Sequence, residues 1–242
     1  MTDGVFKYSD TASTHYDIVA VSEKLALQAV AIVGLGGTGS YILDLVAKTY
    51  VKSIHLYDDD QFEIRNAFRS PGATSPKALA KKPSKAEHFR DAYSVMRNNI
   101  FAHGNIDKLT IQSLRNMTFV FLAAELGHLR MYVAENLEDF GVPFIDVGLE
   151  VKKSDDTLRG VLRVTTSVEE SRALAKSRLP APREIEEDKY SERIQIADLN
   201  ALNAALAVIK WKKIFGFYGD YENEYNSRYL INSNCILNKR QV

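Results

Sequence analysis

Asp58, Asp60, Asn66, Arg69 and Lys85 place two carboxylates, an amide, a guanidinium and an ammonium in one short reach of the chain. Carboxylates bind ribose hydroxyls or hard cations, whereas guanidinium and ammonium groups bind phosphate oxygens. A hydride-transfer cofactor needs one carboxylate for its ribose, and Asp58 lies close to the roughly 20-residue separation from a glycine turn that this role demands. Such a cofactor has no use for the remaining four groups. A triphosphate accompanied by a metal ion would use all of them.

The stretch that must position these groups runs from residue 29 to residue 69. An apolar run (Val30, Ala31, Ile32, Val33) leads into Gly34, Gly36, Gly37 and Gly39. A helical pattern with Ile42, Leu45 and Val46 on one face follows, then a second strand that ends in three aspartates. Strand, glycine turn, helix and strand make the first half of a nucleotide-binding α/β fold. One glycine permits the tight turn, one lets phosphate approach the backbone, and one lets helix and strand pack closely. Free amides and the positive end of the helix dipole then face the phosphates. Taken alone, the glycines fit dinucleotide and ATP folds equally well.

The spacing of Asp58, Asp60, Asn66 and Arg69, preceded by GLGGTG and followed by PSKA around Lys85, resembles the ubiquitin-activating superfamily, which includes the bacterial ThiF and MoeB enzymes. There the pattern runs GxGGxG, DxD, NxxR and a lysine before a helix; the resemblance extends from about residue 8 to residue 213. It implies an α/β, Rossmann-like ThiF/MoeB-type fold: a mostly parallel central sheet flanked by helices, with antiparallel strands added in the C-terminal half. It also implies ATP-dependent adenylation of the C-terminal glycine of a ubiquitin-like or sulfur-carrier protein. The setting would be a bacterial ubiquitin-like conjugation or sulfur-transfer pathway, with a conjugating enzyme as a further partner and the chain acting as a homodimer. By the same resemblance, Gly34, Gly36, Gly37 and Gly39 hold the nucleotide, Asp58 its ribose, and Asn66, Arg69 and Lys85 its phosphates. Arg69, Lys85, Asp60 and Glu125 would be catalytic, and Asp60 and Glu125 would bind magnesium. Glu125 is reached by counting back five residues from Arg130, to a position where the family has an aspartate.

Other features depart from that pattern. The only cysteine, Cys235, excludes an internal disulfide and a cysteine zinc site, and the polar segment 167–193 holds no nucleophilic thiol. The reaction is therefore expected to stop at the adenylate, as in MoeB-type members. Lys7 stands where relatives carry an N-terminal arginine. A small-substrate enzyme that dehydrates a modified tRNA base, a catalytically reduced binding subunit and a nicotinamide dehydrogenase remain as alternatives.

At 242 residues the chain is long enough for one adenylation domain, with a nucleotide-binding half over 1–150 and a crossover loop plus C-terminal half over 151–242. Its 31 basic and 31 acidic side chains balance, which argues against nucleic acid and anionic membranes as partners. The start, MTDGVFKYSD, has no apolar signal core, so a cytoplasmic location is expected. Further strands are expected at 106–111, 118–124 and 141–150, with an antiparallel strand at 160–166. A surface loop is expected at 69–85, and the five histidines sit singly, without metal-ligand spacing. The periodicity of residues 194–217 predicts a helix with Ile196, Leu199, Leu202, Leu206, Ile209 and Trp211 on its apolar face. The tail after it reads as surface strands.

Overall fold

The structure, a computed structural model, describes residues 4–124, 127–179 and 194–239. In chain order, its helices are α1 (Thr11–His15), α2 (Val19–Glu23), α3 (Gly37–Val46), α4 (Ile64–Ala67), α5 (Pro76–Ala80), α6 (Lys85–Ser94), α7 (Gly127–Phe140), α8 (Arg172–Arg178) and α9 (Ala197–Ile214). Its strands are β1 (Ala29–Val33), β2 (Ser53–Tyr57), β3 (Ile100–His103), β4 (Phe119–Leu122), β5 (Phe144–Ser154), β6 (Thr157–Ser167), β7 (Asn226–Leu230) and β8 (Cys235–Lys239).

The uninterrupted apolar runs AVAIV and FVFL form β1 and β4 because parallel strands covered on both faces have no water side on which to place polar residues. They lie side by side in a sheet of order β3-β2-β1-β4-β5-β6-β7-β8. Strands β3 to β5 run parallel and β6 to β8 antiparallel. This matches the expected mixed sheet, antiparallel only toward the C-terminus. Alternate residues of each central strand feed two cores. Ile32, Phe121 and Val147 pack with Ile42, Ala204 and Trp211 of α3 and α9, whereas Val33, Val120 and Phe144 pack with Val133 and Leu137 of α7. Strand order reverses between β1 and β4, so a crevice opens beyond their carboxyl ends, where the glycine turn sits.

Three expectations need correction. The third strand is Ile100–His103 and not 106–111, because Asp107 accepts the backbone N–H groups of Leu109 and Thr110 at 2.8 and 2.9 Å and curls that segment into a turn. Ile106 and Ile111 are buried nonetheless, in the core on the α7 side. The 69–85 loop contains the short helix α5, started by Ser75 as N-cap and Pro76 at its first position. The third concerns α9, which buries Asn200, Asn203, Ala204, Ala207, Val208 and Trp211; Leu202 and Ile209 are 37% and 43% exposed. Small residues let this helix lie close to α3; of the expected apolar face, Trp211 and Leu206 meet the core, whereas Leu202 and Ile209 point outward.

The histidines are also not all solitary. His55 on β2 and His103 on β3 bring Nδ1 and Nε2 within 3.0 Å. Ser53 Oγ donates to the Gln28 carbonyl oxygen at 2.8 Å, so it accepts from His55 Nε2–H at 3.3 Å. That fixes His55 Nδ1 as the acceptor and His103 Nε2–H as the donor, with both rings neutral. Burial, aided by the neighbouring His103, pulls the His55 pKa from 6.5 down to about 4, and burial lowers His103 as well. Because the unfolded chain takes up the proton that the folded chain refuses, this pair's stabilisation is complete above pH 6.5 and is lost as pH falls toward 4. Thermal melts over that range should show a loss of about 2 kcal/mol attributable to the pair, after discounting for partial exposure. A His55→Gln variant should lose most of that slope; an unchanged slope would refute the assignment.

Candidate functional site

After β1 the chain must reverse within a few residues to begin α3. Gly34 does this with φ +89°, and a side chain there would also stand 2.7 Å from the Ala123 carbonyl oxygen. Gly36 is the N-cap of α3 and contributes no side-chain cap, so the first amides of this ten-residue helix are left without a side-chain acceptor at the cap. An uncapped helix start presents free N–H groups and the positive end of the helix dipole, the chemistry that suits an anion. The other two glycines answer to packing: a methyl at Gly37 would drive into the Asn200 amide, and one at Gly39 into the Gly34 carbonyl.

Asp58, just past β2, ties this turn in place. Its Oδ2 accepts the Leu35 N–H at 2.6 Å and its Oδ1 the Asp60 N–H at 3.0 Å. Burial raises its pKa, opposed chiefly by the ammonium of Lys85. Lys85 Nζ lies 2.5 Å from Asp60 Oδ2 and 3.6 Å from Asp58 Oδ1, with its own side chain only 8% exposed. A lysine in the first turn of a helix opposes the helix dipole, and here two carboxylates offset that cost. The backbone closes the same clasp, since Lys85 N–H donates to the Asp60 carbonyl at 2.8 Å and Phe62 N–H to that of Pro83 at 2.8 Å.

Asn66 is buried, and its side-chain oxygen accepts the Glu63 N–H at 2.8 Å, which caps α4. Only its amide NH₂ is left to offer a ligand. Arg69 follows α4, anchored by its N–H to the Asn66 carbonyl at 3.1 Å. Its Nε is buried without a hydrogen-bond partner, and its guanidinium forms no ion pair among the described residues. Asp58, Asp59 and Asp60 each offer an oxygen, all within 4.8 Å of one another, a hard-oxygen donor set of the kind magnesium takes. The structure thus brings Asp58, Asp60 and Lys85 to the glycine turn and sets Asn66 and Arg69 on the short helix and turn that follow. Glu125 lies outside the described residues.

A second polar cluster braces the carboxyl end of β4 against the neighbouring first half of β5. Arg130 Nε and Nη2 donate to the Ala124 carbonyl at 3.1 and 2.6 Å, and Nη2 also donates to the Val147 carbonyl at 3.1 Å. Asp146, fully buried, pairs with Arg130 at 3.1 Å and with Arg163 at 2.6 Å. Helix α9 adds Asn200, which accepts the Thr38 hydroxyl at 2.9 Å, and Asn203, which donates to the Gly148 carbonyl at 3.0 Å. Sequence reasoning used Arg130 only as a counting mark and passed over the rest. Their signal was polarity out of place: an aspartate inside FIDVG, and two asparagines three apart in an apolar helix.

A model of the ThiF family matches residues 13–242. The chain belongs to the ThiF family. Its fold is similar to that of PaaA, with a TM-score of 0.68 at 15% identity over 97% of this chain and 84% of PaaA. It is also similar to Escherichia coli MccB with MccA-N7isoASN, with a TM-score of 0.67 at 17% identity over 97% of this chain and 72% of MccB. MccB with ATP gives 0.67 at 18% identity, over 96% and 72%. No curated protein matches the sequence. The uncapped turn, the DxD segment and the lysine of α6 thus sit in a ThiF-family fold at the strand ends.

The Gly37 contact yields a double-mutant test. Gly37→Ala should destabilise the chain by about 2 kcal/mol through overpacking against Asn200. Combining it with Asn200→Ala should recover at least about 1 kcal/mol relative to additivity, measured by urea unfolding. Strict additivity would mean that the two residues do not meet.

Proposed function

We propose that this ThiF-family chain adenylates the C-terminal carboxylate of a ubiquitin-like or sulfur-carrier protein that ends in glycine, at the expense of ATP. The observation that carries the reading is the Lys85 clasp: a buried ammonium between Asp58 and Asp60, where Asp58 is itself bonded to the turn before an uncapped helix. Arg69, with no ion pair among the described residues, supports the reading as a second cation available to an anionic ligand. The structures of MccB with ATP and of MccB with MccA are similar in fold and agree with a nucleotide and a peptide as ligands.

In this reading the carrier's carboxylate attacks the α-phosphorus of ATP. The bond to the bridging oxygen of pyrophosphate breaks, and an acyl adenylate forms. Both reactants are anions, so the protein's task is alignment and charge neutralisation rather than covalent help. The amides at the start of α3 receive phosphate oxygens. Lys85, freed in part from Asp60, and Arg69 offset the negative charge that gathers on the pyrophosphate. Asn66 contributes its NH₂. Asp58 reaches the ribose only with whatever accepting capacity its two backbone bonds leave. Magnesium, when bound, neutralises triphosphate charge, and Asp60 with Asp59 or Glu125 are the residues that would hold it.

Cys235, on the outermost strand, is the chain's only thiol, so we place any thioester on another protein. The outward Leu202 and Ile209 of α9 suit contact with a second copy and support a homodimer. Among the described residues no helix is long and apolar enough to cross a membrane.

Exchange of pyrophosphate into ATP, measured with glycine-terminated carrier candidates, tests the proposal. Arg69→Ala and Lys85→Ala should each lower exchange by roughly a hundredfold or more with the fold intact. Exchange at the wild-type rate in both variants would discard it.

A further inference from the structure

A cavity of about 430 Å³ lies at the far end of α3, lined by the N-terminal segment, the α3–β2 connection and the end of α9. An α-helix rises 1.5 Å per residue, so the ten residues of α3 set it about 15 Å from the glycine turn. It is a cleft half open to solvent, and its volume falls in the range of small-molecule sites. Its walls are held by bonds that are already complete. Asp10 accepts the Ala12 and Ser13 N–H groups at 3.0 Å each, the Ser13 hydroxyl at 2.6 Å and the Tyr50 hydroxyl at 3.1 Å. Ser13 meets Ser22 at 3.0 Å, and Phe6 stacks edge-on against Tyr50. Collapse would break these contacts.

The cavity wall carries a carboxylate, Asp10, and an ammonium, Lys212, that form no ion pair with each other among the described residues. Asp10, with four donors on it, has little capacity left, and Lys48 is paired with Asp44 at 2.6 Å. Lys212 also lines the cavity but pairs with no carboxylate among the described residues. Its ammonium lies 4.4 Å from the centre of the Phe217 ring, a contact that stabilises a cation without neutralising it. Burial lowers the Lys212 pKa, as expected for an ammonium that has lost water and gained no counter-ion. The neighbouring Lys210 and Lys213, by contrast, both pair with Asp220 and Glu224.

We infer that this cavity is a second ligand site, which takes a small organic monocarboxylate whose apolar body lies against Leu25, Tyr50, Met96 and Phe217 and whose carboxylate pairs with Lys212. With the Asp10 carboxylate in the same wall, the one unpaired ammonium of Lys212 suits a monoanion better than a phosphate dianion, and the aromatic and aliphatic walls suit a ring or short chain. The site is separate from the nucleotide turn and does not depend on the proposed reaction.

Calorimetric titration of the full chain with phenylacetate and indole-3-acetate, alongside phenylacetamide and indole-3-acetamide, tests the inference. At least one acid should bind saturably and tenfold or more tighter than its amide. Lys212→Met, which keeps the aliphatic stem, should erase that preference while ATP binding stays unchanged. The inference fails if neither acid saturates at millimolar concentration, if amides bind as well as acids, or if Lys212→Met keeps the preference. The acid-against-amide comparison on the unaltered chain decides the matter even if the variant folds poorly.

Discussion

The site depends on the two hydrogen bonds accepted by Asp58. A carboxylate at the end of β2 that receives the Leu35 and Asp60 N–H groups fastens the glycine turn, the acidic tripeptide and, through Asp60, the start of α6 to one point. Burial of that carboxylate is tolerable because two N–H donors and an ammonium meet it. Sequence comparison assigns such an aspartate to a ligand's ribose. In the folded chain most of its accepting capacity holds the backbone, so it shapes the receptor before it touches anything bound.

The same economy explains the glycines and the helix that crosses behind them. Gly37 is small because Asn200 stands against it, and Thr38 bonds to the same amide. Helix α9 therefore supports the glycine turn from outside the first strand–helix–strand unit. The triad of Arg130, Asp146 and Arg163 does the equivalent for the end of β4, with Arg130 holding the carbonyl of Ala124. Ion pairs this deep contribute little net stability, since desolvation offsets their attraction, but removing one partner would leave an uncompensated charge. Their effect is to hold the strand ends in one geometry.

Much of this was legible in the sequence because the relevant signals are local. Apolar runs, a glycine turn and DxD at fixed spacing specify strand, turn, helix and strand without reference to the rest of the chain, and the parallel half of the sheet follows. What stayed hidden depends on distant partners or on side chains spent in local caps. Asp107 turned an apparent strand at 106–111 into a loop by a local cap, which hydrophobic alternation does not register. The face of α9 is legible at Leu206 and Trp211 but not at Leu202 and Ile209, because bulk is not the mark of burial where close approach to α3 selects alanine and asparagine. His55 and His103 looked solitary until β2 and β3 were laid side by side. For Asn66 and Arg69, the residue types announced phosphate chemistry, but not that half of the asparagine would be spent on capping α4.

The bond between Thr38 and Asn200 joins positions 162 residues apart. During synthesis the glycine turn leaves the ribosome long before its support exists, and closing so long a loop costs entropy that only tertiary contact returns. The glycine turn therefore reaches its finished form only after α9 has been made and docked. A nascent chain that lacks α9 would carry the GLGGTG turn, Asp58, Asp60 and Lys85 and still lack the Asn200 support of that turn.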